Sequence, residues 1–435
     1  MKTLKVLYLV GVVFCSLFWT VGAVAGERVL IVKIIELQSG TNSEIVFDKL
    51  TVSTGLPPVQ RLTKDSQNAP YELQVLDSKG EVIYTQEFDF TRYIEVPLPE
   101  SDSEYQVEAP RIPLTEPEAV LVIPYLPEGV EIRVKVADEA TPPAPVPSVP
   151  ESSYQPADPA QEGNLYILLI ASGFSGSEMS IFQNTAQEIK DYLISKEPFA
   201  SRSSNIIISI YENTDDLGCE NGCENIDRLT CCNSEKVMAS AAASGHLYDE
   251  IIVINNTEIY SGGGYRDHGF YKDNSASTYC IVYNGSATNP MSLHEFGHSF
   301  GNLCDEYTYG NEDFSYYDCA NCRARCSAWR SVSKGCQLSC DARSDYYRPE
   351  DSIMLTLGIP YYNLPSIHNG LIPRLNYFIP DVCATEEGVA YGLCKAYCEA
   401  MDCDSDTFKA SDKACIKIYD KFVEYTGREP PCEAN

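Results

Sequence analysis

A proline-rich stretch divides the chain into two parts of different composition. Seven prolines occur between residues 141 and 160, together with serine and alanine. This composition is typical of an extended, semi-rigid spacer between folded units. The sequence therefore predicts a multidomain protein, and we place the linker at residues 139–162.

The segment before the linker is rich in short β-like runs. Between residues 26 and 138, runs such as RVLIVKII, EVIYTQEF and VEIRVKV follow one another without helical periodicity. The stretch LDSKGEV between two of these runs is typical of a hairpin turn. The pattern predicts an N-terminal β-sandwich domain with a structural or binding role, since it contains no cluster of catalytic or metal-binding side chains.

The first 25 residues have the three parts of a secretory signal peptide. MKTLK is basic, a short apolar run follows, and AVA precedes Gly26 as a small-residue cleavage site. We expect cleavage after Ala25. No later stretch is long and apolar enough to cross a bilayer. The sequence thus predicts a secreted or periplasmic protein, with no stable membrane insertion once the signal is removed.

The charge of the chain argues against one class of partner. The formal net charge is −30 at pH 7. A surface of this sign repels the phosphate backbone, so nucleic acid is not an expected partner.

The cysteines are concentrated in the second half of the chain. Of 18 cysteines, one lies in the signal peptide and the other 17 follow Gly218. Clustered cysteines in an exported protein predict disulfides, and an odd count leaves one thiol over. We assign Cys280 as the free thiol because it lies in the apolar run YCIVYN. The six cysteines from Cys383 to Cys432 predict a disulfide-closed helical cap within residues 379–435.

An α/β pattern begins after the linker. LYILLIA, NIIISIY, EIIVIN and YCIVYN are typical of buried strands, and a helical repeat of apolar residues separates the first two. Alternation of strands and helices predicts an α/β domain over residues 163–378. The glycine-rich stretch SGGGYRDHGF is expected to form an edge strand, along which an extended peptide can pair.

The motif HEFGH, residues 294–298, carries the chemistry of this domain. On a helix, His294 and His298 lie on one face and can bind a single metal ion. Glu295 is adjacent to the first ligand and is placed to act as general base on water. We expect Asn289 to cap this helix and Gly301 to end it in a left-handed conformation.

The motif residues alone do not identify the third metal ligand. The residues ten to twelve positions after His294 are Cys304, Asp305 and Glu306. A thiolate and a carboxylate can both bind zinc, although a cysteine of an exported protein is more readily drawn into a disulfide.

The stretch SLHEFGHSFGNLCDEY resembles the signature HEFGHSFxxLxDEY of the IgA-specific metallopeptidase family, the igalysin-type metzincins. The resemblance extends roughly over residues 163–370. It implies a metzincin-like fold and an HExxHxxGxxxD site, with one zinc ion bound by His294, His298 and Asp305. It also implies a methionine turn beneath the metal, and DSIMLTLG places Met354 there. Cys304 departs from the small residue that is usual at its position.

The combined prediction is an exported zinc-dependent endopeptidase that acts on proteins or peptides. Hydrolysis is expected to proceed by Glu295-assisted attack of zinc-bound water on the peptide bond. Tyr361 and Tyr362 are candidate oxyanion donors. Two alternatives stay open: a non-catalytic extracellular binding or adhesion protein on a peptidase fold, and a zinc hydrolase of non-peptide amides.

Overall fold

The computed structural model describes residues 28–39, 42–53, 55, 71–95, 111–136, 139–141, 143–147, 163–267, 279–307, 319–326, 336–340, 343–349 and 351–379, together with residues 417, 421 and 423. The predicted signal peptide, the predicted cap and most of the predicted linker lie outside these residues.

The described part of the chain contains many strands and few helices. The N-terminal part consists of strands alone: β1 (Val29–Ser39), β2 (Asn42–Ser53), β3 (Tyr71–Leu76), β4 (Val82–Phe88), β5 (Thr91–Glu95), β6 (Arg111–Pro124), β7 (Glu131–Val136), β8 (Glu139–Ala140) and β9 (Ala144–Pro145). The later strands are β10 (Leu165–Ser172), β11 (Ile206–Tyr211), β12 (Glu220–Asn221), β13 (Thr230–Cys231), β14 (Glu250–Asn255), β15 (Gly262–Asp267), β16 (Tyr279–Tyr283), β17 (Gln337–Cys340) and β18 (Arg343–Arg348).

Among the described residues, the helices all follow the predicted linker. They are α1 (Met179–Ile194), α2 (Ser234–Ala243), α3 (Thr288–Ser299), α4 (Leu364–Ser366) and α5 (Ile372–Phe378), with a π-helical turn at Ile367–Leu371 and 3₁₀ turns at Ala200–Asn205 and Cys223–Asn225. Among the described residues, no helix has both the length and the apolar character needed to cross a membrane.

One nine-stranded sheet contains strands from both parts of the chain. Its order is β11-β10-β14-β16-β15-β5-β6-β1-β2. The pairs among β10, β11, β14 and β16 are parallel, whereas β15 is antiparallel to β16 and to β5. The expectation of a free edge strand at SGGGYRDHGF is therefore wrong, since β15 has a neighbour on each side.

Alternating side chains of the sheet pack into two hydrophobic cores, one on each face. In β10, Leu165, Ile167 and Leu169 face the core that contains α1 and α3, whereas Leu168 and Ile170 face the core that contains α2. This alternation follows from the two-residue period of a strand. Both faces of β10 are covered, which explains its continuous apolar sequence.

The N-terminal strands form a second layer and also share a core with α2. A smaller sheet of order β4-β3-β7-β8, with β9 on β7, packs over one face of β1 and β6. On the other face, Val29, Ile31, Val120 and Val122 join the core around α2. A Cβ atom on Gly55 would lie 2.0 Å from the Ala242 carbonyl oxygen, so the two parts are in close contact.

This arrangement joins the two segments that the sequence predicts as separate domains. The segments 26–138 and 163–378 contribute strands to one sheet and side chains to one core. Strands β8 and β9, which pair with β7, extend the N-terminal part into the predicted linker at 139–162.

Cleavage within residues 148–162 is expected to leave two fragments that remain associated. Separation would break the pairing of β5 with β15 and expose the shared apolar core, whose burial contributes about 25 cal/mol per Å². Limited proteolysis followed by size-exclusion chromatography checks this expectation. Elution of the fragments as separate species without denaturant would contradict it.

Candidate metal centre and active site

Helix α3 carries the HExxH motif and is buried along most of its length. Thr288 closes the turn that leads into the helix, because its hydroxyl accepts from the Gly285 N–H at 2.8 Å and donates to the Tyr283 carbonyl at 2.8 Å. The helix begins at Thr288 and not after a cap at Asn289, so the expected cap was placed too late. His294, Glu295 and His298 have no exposed surface.

The end of α3 differs from the prediction in one residue. Asn302, with φ of 49°, adopts the left-handed conformation that was assigned to Gly301. Gly301 is required for a different reason, since a Cβ atom there would lie 2.6 Å from Leu371 Cδ2 and 2.9 Å from the Gly297 carbonyl oxygen. The glycine therefore permits close packing, and Asn302 turns the chain back under the helix.

The segment around Met354 forms the floor beneath α3. Met354 is fully buried, and a Cβ atom on Gly297 would lie 2.7 Å from its sulfur. Gly297 is thus the position on α3, between the two histidines, where the thioether packs. Tyr362 is also buried there, and its hydroxyl donates to the Leu293 carbonyl. This hydroxyl is engaged with the helix backbone, while Tyr361 is exposed.

Both imidazoles are oriented by backbone carbonyls. His294 Nδ1 lies 3.0 Å from the Ile353 oxygen, and His298 Nδ1 lies 2.8 Å from the Leu303 oxygen. A carbonyl only accepts hydrogen bonds, so each Nδ1 must be the protonated nitrogen. In the neutral imidazoles the Nε2 atoms then carry lone pairs, which are the form that binds a metal ion.

The carboxylate of Asp305 completes a three-ligand arrangement. The two Nε2 atoms lie 3.0 Å apart, and Asp305 Oδ1 lies 3.3 Å from His294 Nε2 and 3.4 Å from His298 Nε2. A tetrahedral zinc ion with bonds of about 2.0–2.1 Å separates its ligand atoms by about 3.3–3.4 Å. Two lone pairs and an anionic oxygen at these distances repel one another unless a cation lies between them. The donor set therefore fits a metal ion. Among the described residues, His294, His298 and Asp305 form a group whose potential ligand atoms lie close enough together to hold one.

The electrostatics of the three ligands favour the forms that bind metal. Burial lowers the pKa of His294, which favours the neutral imidazole, although Asp305 opposes this effect. Burial alone would raise the pKa of Asp305, yet positive charge on the facing His298 and His294 imidazoles holds it well below its usual range, and a metal cation between them would act in the same direction. A neutral imidazole and an ionised carboxylate are both competent ligands.

Disulfides surround the segment that carries Asp305. Cys304 is bonded to Cys319, which removes it as a thiolate ligand. A second disulfide joins Cys322 and Cys340, and each of its sulfurs lies 3.9 Å from the Asp305 carbonyl oxygen. The loop that carries Asp305 is therefore fixed covalently at Cys304 and packs against the second disulfide.

Glu306 is a buried anchor for the polypeptide around the site. Its Oε1 accepts from Asn321 Nδ2 at 3.0 Å, Asn363 Nδ2 at 2.8 Å and Ser366 Oγ at 3.4 Å. Its Oε2 accepts from Ser352 Oγ at 2.8 Å. None of these partners belongs to the group His294, His298 and Asp305, and they lie in three segments that are distant in sequence.

The backbone of Glu306 reinforces this anchoring role. Its N–H donates to the Met354 carbonyl at 2.8 Å. Met354 directly follows Ile353, whose carbonyl orients His294. Glu306 thus links the loop that carries Asp305 to the loop that orients His294.

Replacement of Glu306 tests this role through stability in the metal-free protein. Burial raises the pKa of Glu306 to about 7. A carboxyl with a raised folded-state pKa stabilises the fold when protonated, and this contribution is lost as pH rises from its unfolded value towards about 7. Glu306→Gln is therefore expected to gain stability relative to wild type between pH 5 and 8, by at most about 3 kcal/mol.

Glu306→Ala is the matched comparison. It removes one hydrogen-bond acceptor from each of the amides of Asn321 and Asn363, at a cost of about 1–3 kcal/mol for each lost bond. Urea unfolding of metal-free wild type, Glu306→Gln and Glu306→Ala across this pH range measures both effects. A glutamine variant that loses as much stability as the alanine variant at every pH would contradict the assignment.

The remaining cysteines and histidines are placed as follows. Ten cysteines form five disulfides, and Cys280 is buried and free, as predicted, within the part of the chain that the structure describes. His246 is half-buried, and its burial lowers its pKa. Neither His246 nor His368 joins the ligand group, and His268 lies outside the described residues.

Sequence reasoning missed the residues that support the ligands. Ile353 and Leu303 act through backbone carbonyls. Every residue has a backbone carbonyl, so the residue type gives no sign of this role. Asn321, Asn363 and Ser366 are polar residues that the fold buries around Glu306. The acidic pair Asp305–Glu306 was the available signal for these supporting residues. When only one of two adjacent buried carboxylates faces the histidines, the other needs hydrogen-bond donors of its own.

The comparisons with known proteins agree with this geometry. The model of the family described as IgA Peptidase M64 matches residues 155–323, a range that contains α3, Asp305 and Glu306. No curated protein matches the chain. The resemblance of the HEFGHSFGNLCDEY stretch is thus confirmed: residues 155–323 of this chain match the IgA-specific metallopeptidase family M64.

Proposed function

We propose that the protein is an exported zinc endopeptidase whose metal is bound by His294, His298 and Asp305. The observation that carries the proposal is the convergence of these three ligand atoms at the spacing of a tetrahedral site. Three protein ligands with a fourth position for water or substrate are typical of catalytic zinc sites. Membership in a metallopeptidase family supports protein or peptide substrates.

The ligand set favours zinc over other metals. Two imidazole nitrogens and one carboxylate oxygen are a donor combination found in zinc hydrolases. When bound, the ion supplies Lewis-acid chemistry that acidifies water and polarises a carbonyl group. The backbone carbonyls of Ile353 and Leu303 hold both imidazoles in the tautomer that this role requires.

Glu295 is the proposed general base. It follows His294 directly on α3 and is therefore adjacent to a proposed ligand, but it is not one of the three proposed ligands itself. Its carboxylate accepts a proton from the attacking water and later delivers it to the nitrogen of the departing amine. The first transfer protonates the carboxylate and the second restores it, so the residue can serve both halves of the reaction.

Three further features belong to the proposal. The four parallel strands, antiparallel β15 and helix α3 are consistent with a metzincin-like peptidase domain, with Met354 as its methionine turn. Five disulfides among the described residues support export by way of the predicted signal peptide. The cysteines after Ile379 are proposed to close a C-terminal cap.

Cleavage mapping tests the proposed activity directly. The full chain, loaded with zinc, is incubated with a mixture of unfolded proteins, and new termini are identified by mass spectrometry. Reproducible cleavage that is lost with a chelator and restored by zinc is expected. Stoichiometric zinc binding without any new terminus would favour a binding protein or a hydrolase of other amides.

A further inference from the structure

The side chain of Asn321 binds both backbone groups of Cys304. The Cys304 N–H donates to Asn321 Oδ1 at 2.8 Å, and Asn321 Nδ2 donates to the Cys304 carbonyl at 2.7 Å. In an antiparallel sheet, a residue of the neighbouring strand exchanges the same two bonds. Asn321 has no exposed surface, so water does not compete for them. The amide therefore holds Cys304 as a neighbouring strand would.

A third hydrogen bond determines which way round the amide lies. Asn321 Nδ2 also donates to Glu306 Oε1 at 3.0 Å. Both amide hydrogens thus point at oxygen acceptors, and the amide oxygen points at an N–H donor. A flipped amide would place its oxygen against a carbonyl and a carboxylate. The three contacts of Asn321 are therefore satisfied together in one orientation.

The two peptide groups that Asn321 holds lead to two of the proposed ligands. The Cys304 N–H belongs to the same peptide group as the Leu303 carbonyl, which lies 2.8 Å from His298 Nδ1. The Cys304 carbonyl belongs to the peptide group that leads into Asp305. A peptide group is planar and rigid, so a bond at its N–H also restricts the direction of its carbonyl. Asn321 therefore acts on His298 and Asp305 through the backbone.

The bond from Cys304 to Asn321 also strengthens the contact with His298. A peptide group that donates through its N–H becomes a better acceptor at its oxygen, because hydrogen bonds in a chain polarise one another. A better acceptor at Nδ1 makes Nε2 a more basic metal ligand. His294 is oriented by a different segment, since its Nδ1 faces the Ile353 carbonyl. The two imidazoles can therefore be compared within one molecule.

The segment that carries Asn321 is cross-linked on both sides of this residue. Cys319, two residues earlier, is bonded to Cys304, and Cys322, the next residue, is bonded to Cys340. A side chain on a rigid segment holds its target more precisely than a side chain on a free loop. The position of Asn321 is thus maintained by covalent bonds that do not involve a metal ion.

We propose that Asn321 is a positioning residue of the metal centre, which aligns His298 and Asp305 by holding the peptide groups on either side of Cys304. This role is separate from the anchoring role of Glu306, because it acts on the backbone between two ligands. The inference rests on the proposed function, since it assigns a further residue to the same site.

Two variants separate the hydrogen bonds of Asn321 from the space that its side chain fills. Asn321→Ala removes all three bonds and leaves a cavity. Asn321→Asp keeps the shape and the acceptor for the Cys304 N–H, but it places an oxygen against the Cys304 carbonyl and Glu306. Both variants are expected to bind zinc about 10–100-fold more weakly, the range that is typical when a partner of a metal ligand is lost. Competition of the full chain with a chromophoric chelator measures this affinity.

Asn363→Ala is the matched control. Asn363 is also buried and also donates to Glu306 Oε1, at 2.8 Å. The oxygen of its amide accepts from Ser366, on its own segment, instead of from Cys304. Its loss removes a similar set of buried hydrogen bonds, yet the zinc affinity is expected to stay at the wild-type level. An equal loss of affinity in Asn363→Ala and Asn321→Ala would reduce the role of Asn321 to general stability and overturn the proposal.

Magnetic resonance of the imidazoles tests the alignment directly, in the metal-free and the zinc-loaded full chain. The chain has five histidines, so isotope-labelled histidine gives few signals. A weaker hydrogen bond at Nδ1 moves the proton signal upfield and speeds its exchange with water. In Asn321→Ala and Asn321→Asp, the Nδ1 proton of His298 should show both changes, whereas the Nδ1 proton of His294 should keep its wild-type signal.

Three results would contradict the proposal. They are wild-type zinc affinity in both Asn321 variants, an unchanged His298 signal, and equal changes in the signals of His298 and His294. Should Asn321→Ala fail to fold, the isosteric Asn321→Asp is used in its place. If the wild-type chain binds no zinc, the proposed function fails, while the His298 signal of the metal-free chain still decides the role of Asn321.

Discussion

Replacing Glu295 with alanine is expected to lower peptide hydrolysis by at least about 10²–10⁴-fold, the typical contribution of a general acid–base group. The metal content should not change, because Glu295 lies outside the triad formed by His294, His298 and Asp305. Glu295→Gln should be equally impaired, since an amide of the same shape cannot accept the proton. Zinc content by mass spectrometry and cleavage rates on one substrate measure both quantities.

The control for this prediction is Glu188→Ala. Glu188 is an exposed glutamate on α1, and its loss should leave rate and zinc content at the wild-type level. A Glu295→Ala enzyme that cleaves at the wild-type rate would remove Glu295 from the mechanism. Loss of zinc together with activity would instead make Glu295 part of the metal site.

Replacing Asp305 with alanine is expected to abolish metal binding and activity together. Loss of an outer-shell partner typically lowers metal affinity by about 10–100-fold, and loss of a ligand itself should exceed this. Removal of the carboxylate leaves two imidazoles, one ligand fewer than catalytic zinc sites usually have. Zinc affinity is measured by competition with a chromophoric chelator, and activity is measured on the same preparations.

The double variant Cys304→Ala/Cys319→Ala is the matched control for Asp305→Ala. It removes the disulfide beside the ligand but retains the carboxylate. Its main effect should be a loss of stability, which is typically about 2–5 kcal/mol for a native disulfide. Stoichiometric zinc in Asp305→Ala, with loss of zinc in Glu306→Gln, would move the ligand by one residue.

The motif helix could be predicted from sequence because its information is local. The four-residue spacing of His294 and His298 places them on one face of any helix, whatever packs around it. The free thiol at Cys280 was equally accessible, since it follows from an odd count and an apolar context. The family resemblance rests on a contiguous stretch and is confirmed by the match over residues 155–323.

The boundaries of the structural units were harder to predict from the sequence. The proline-rich composition predicts a spacer, yet composition does not say whether the parts on either side touch. The structure places Val29 and Val120 in the same core as α2, and joins β5 to β15. Pairings of this kind join residues far apart in sequence, and their partners are decided by the whole set of apolar surfaces.

By itself the sequence determined the candidate ligands, the helix that carries two of them and the cysteine that remains reduced. The tertiary structure decided which neighbour of Cys304 joins the two histidines, because Asp305 and Glu306 have similar chemistry and differ in their surroundings. Asp305 faces two imidazoles, whereas Glu306 is held by Asn321, Asn363 and two serines. The tertiary structure also decided that β15 is covered, since a free strand edge can be recognised only when every other strand has been placed.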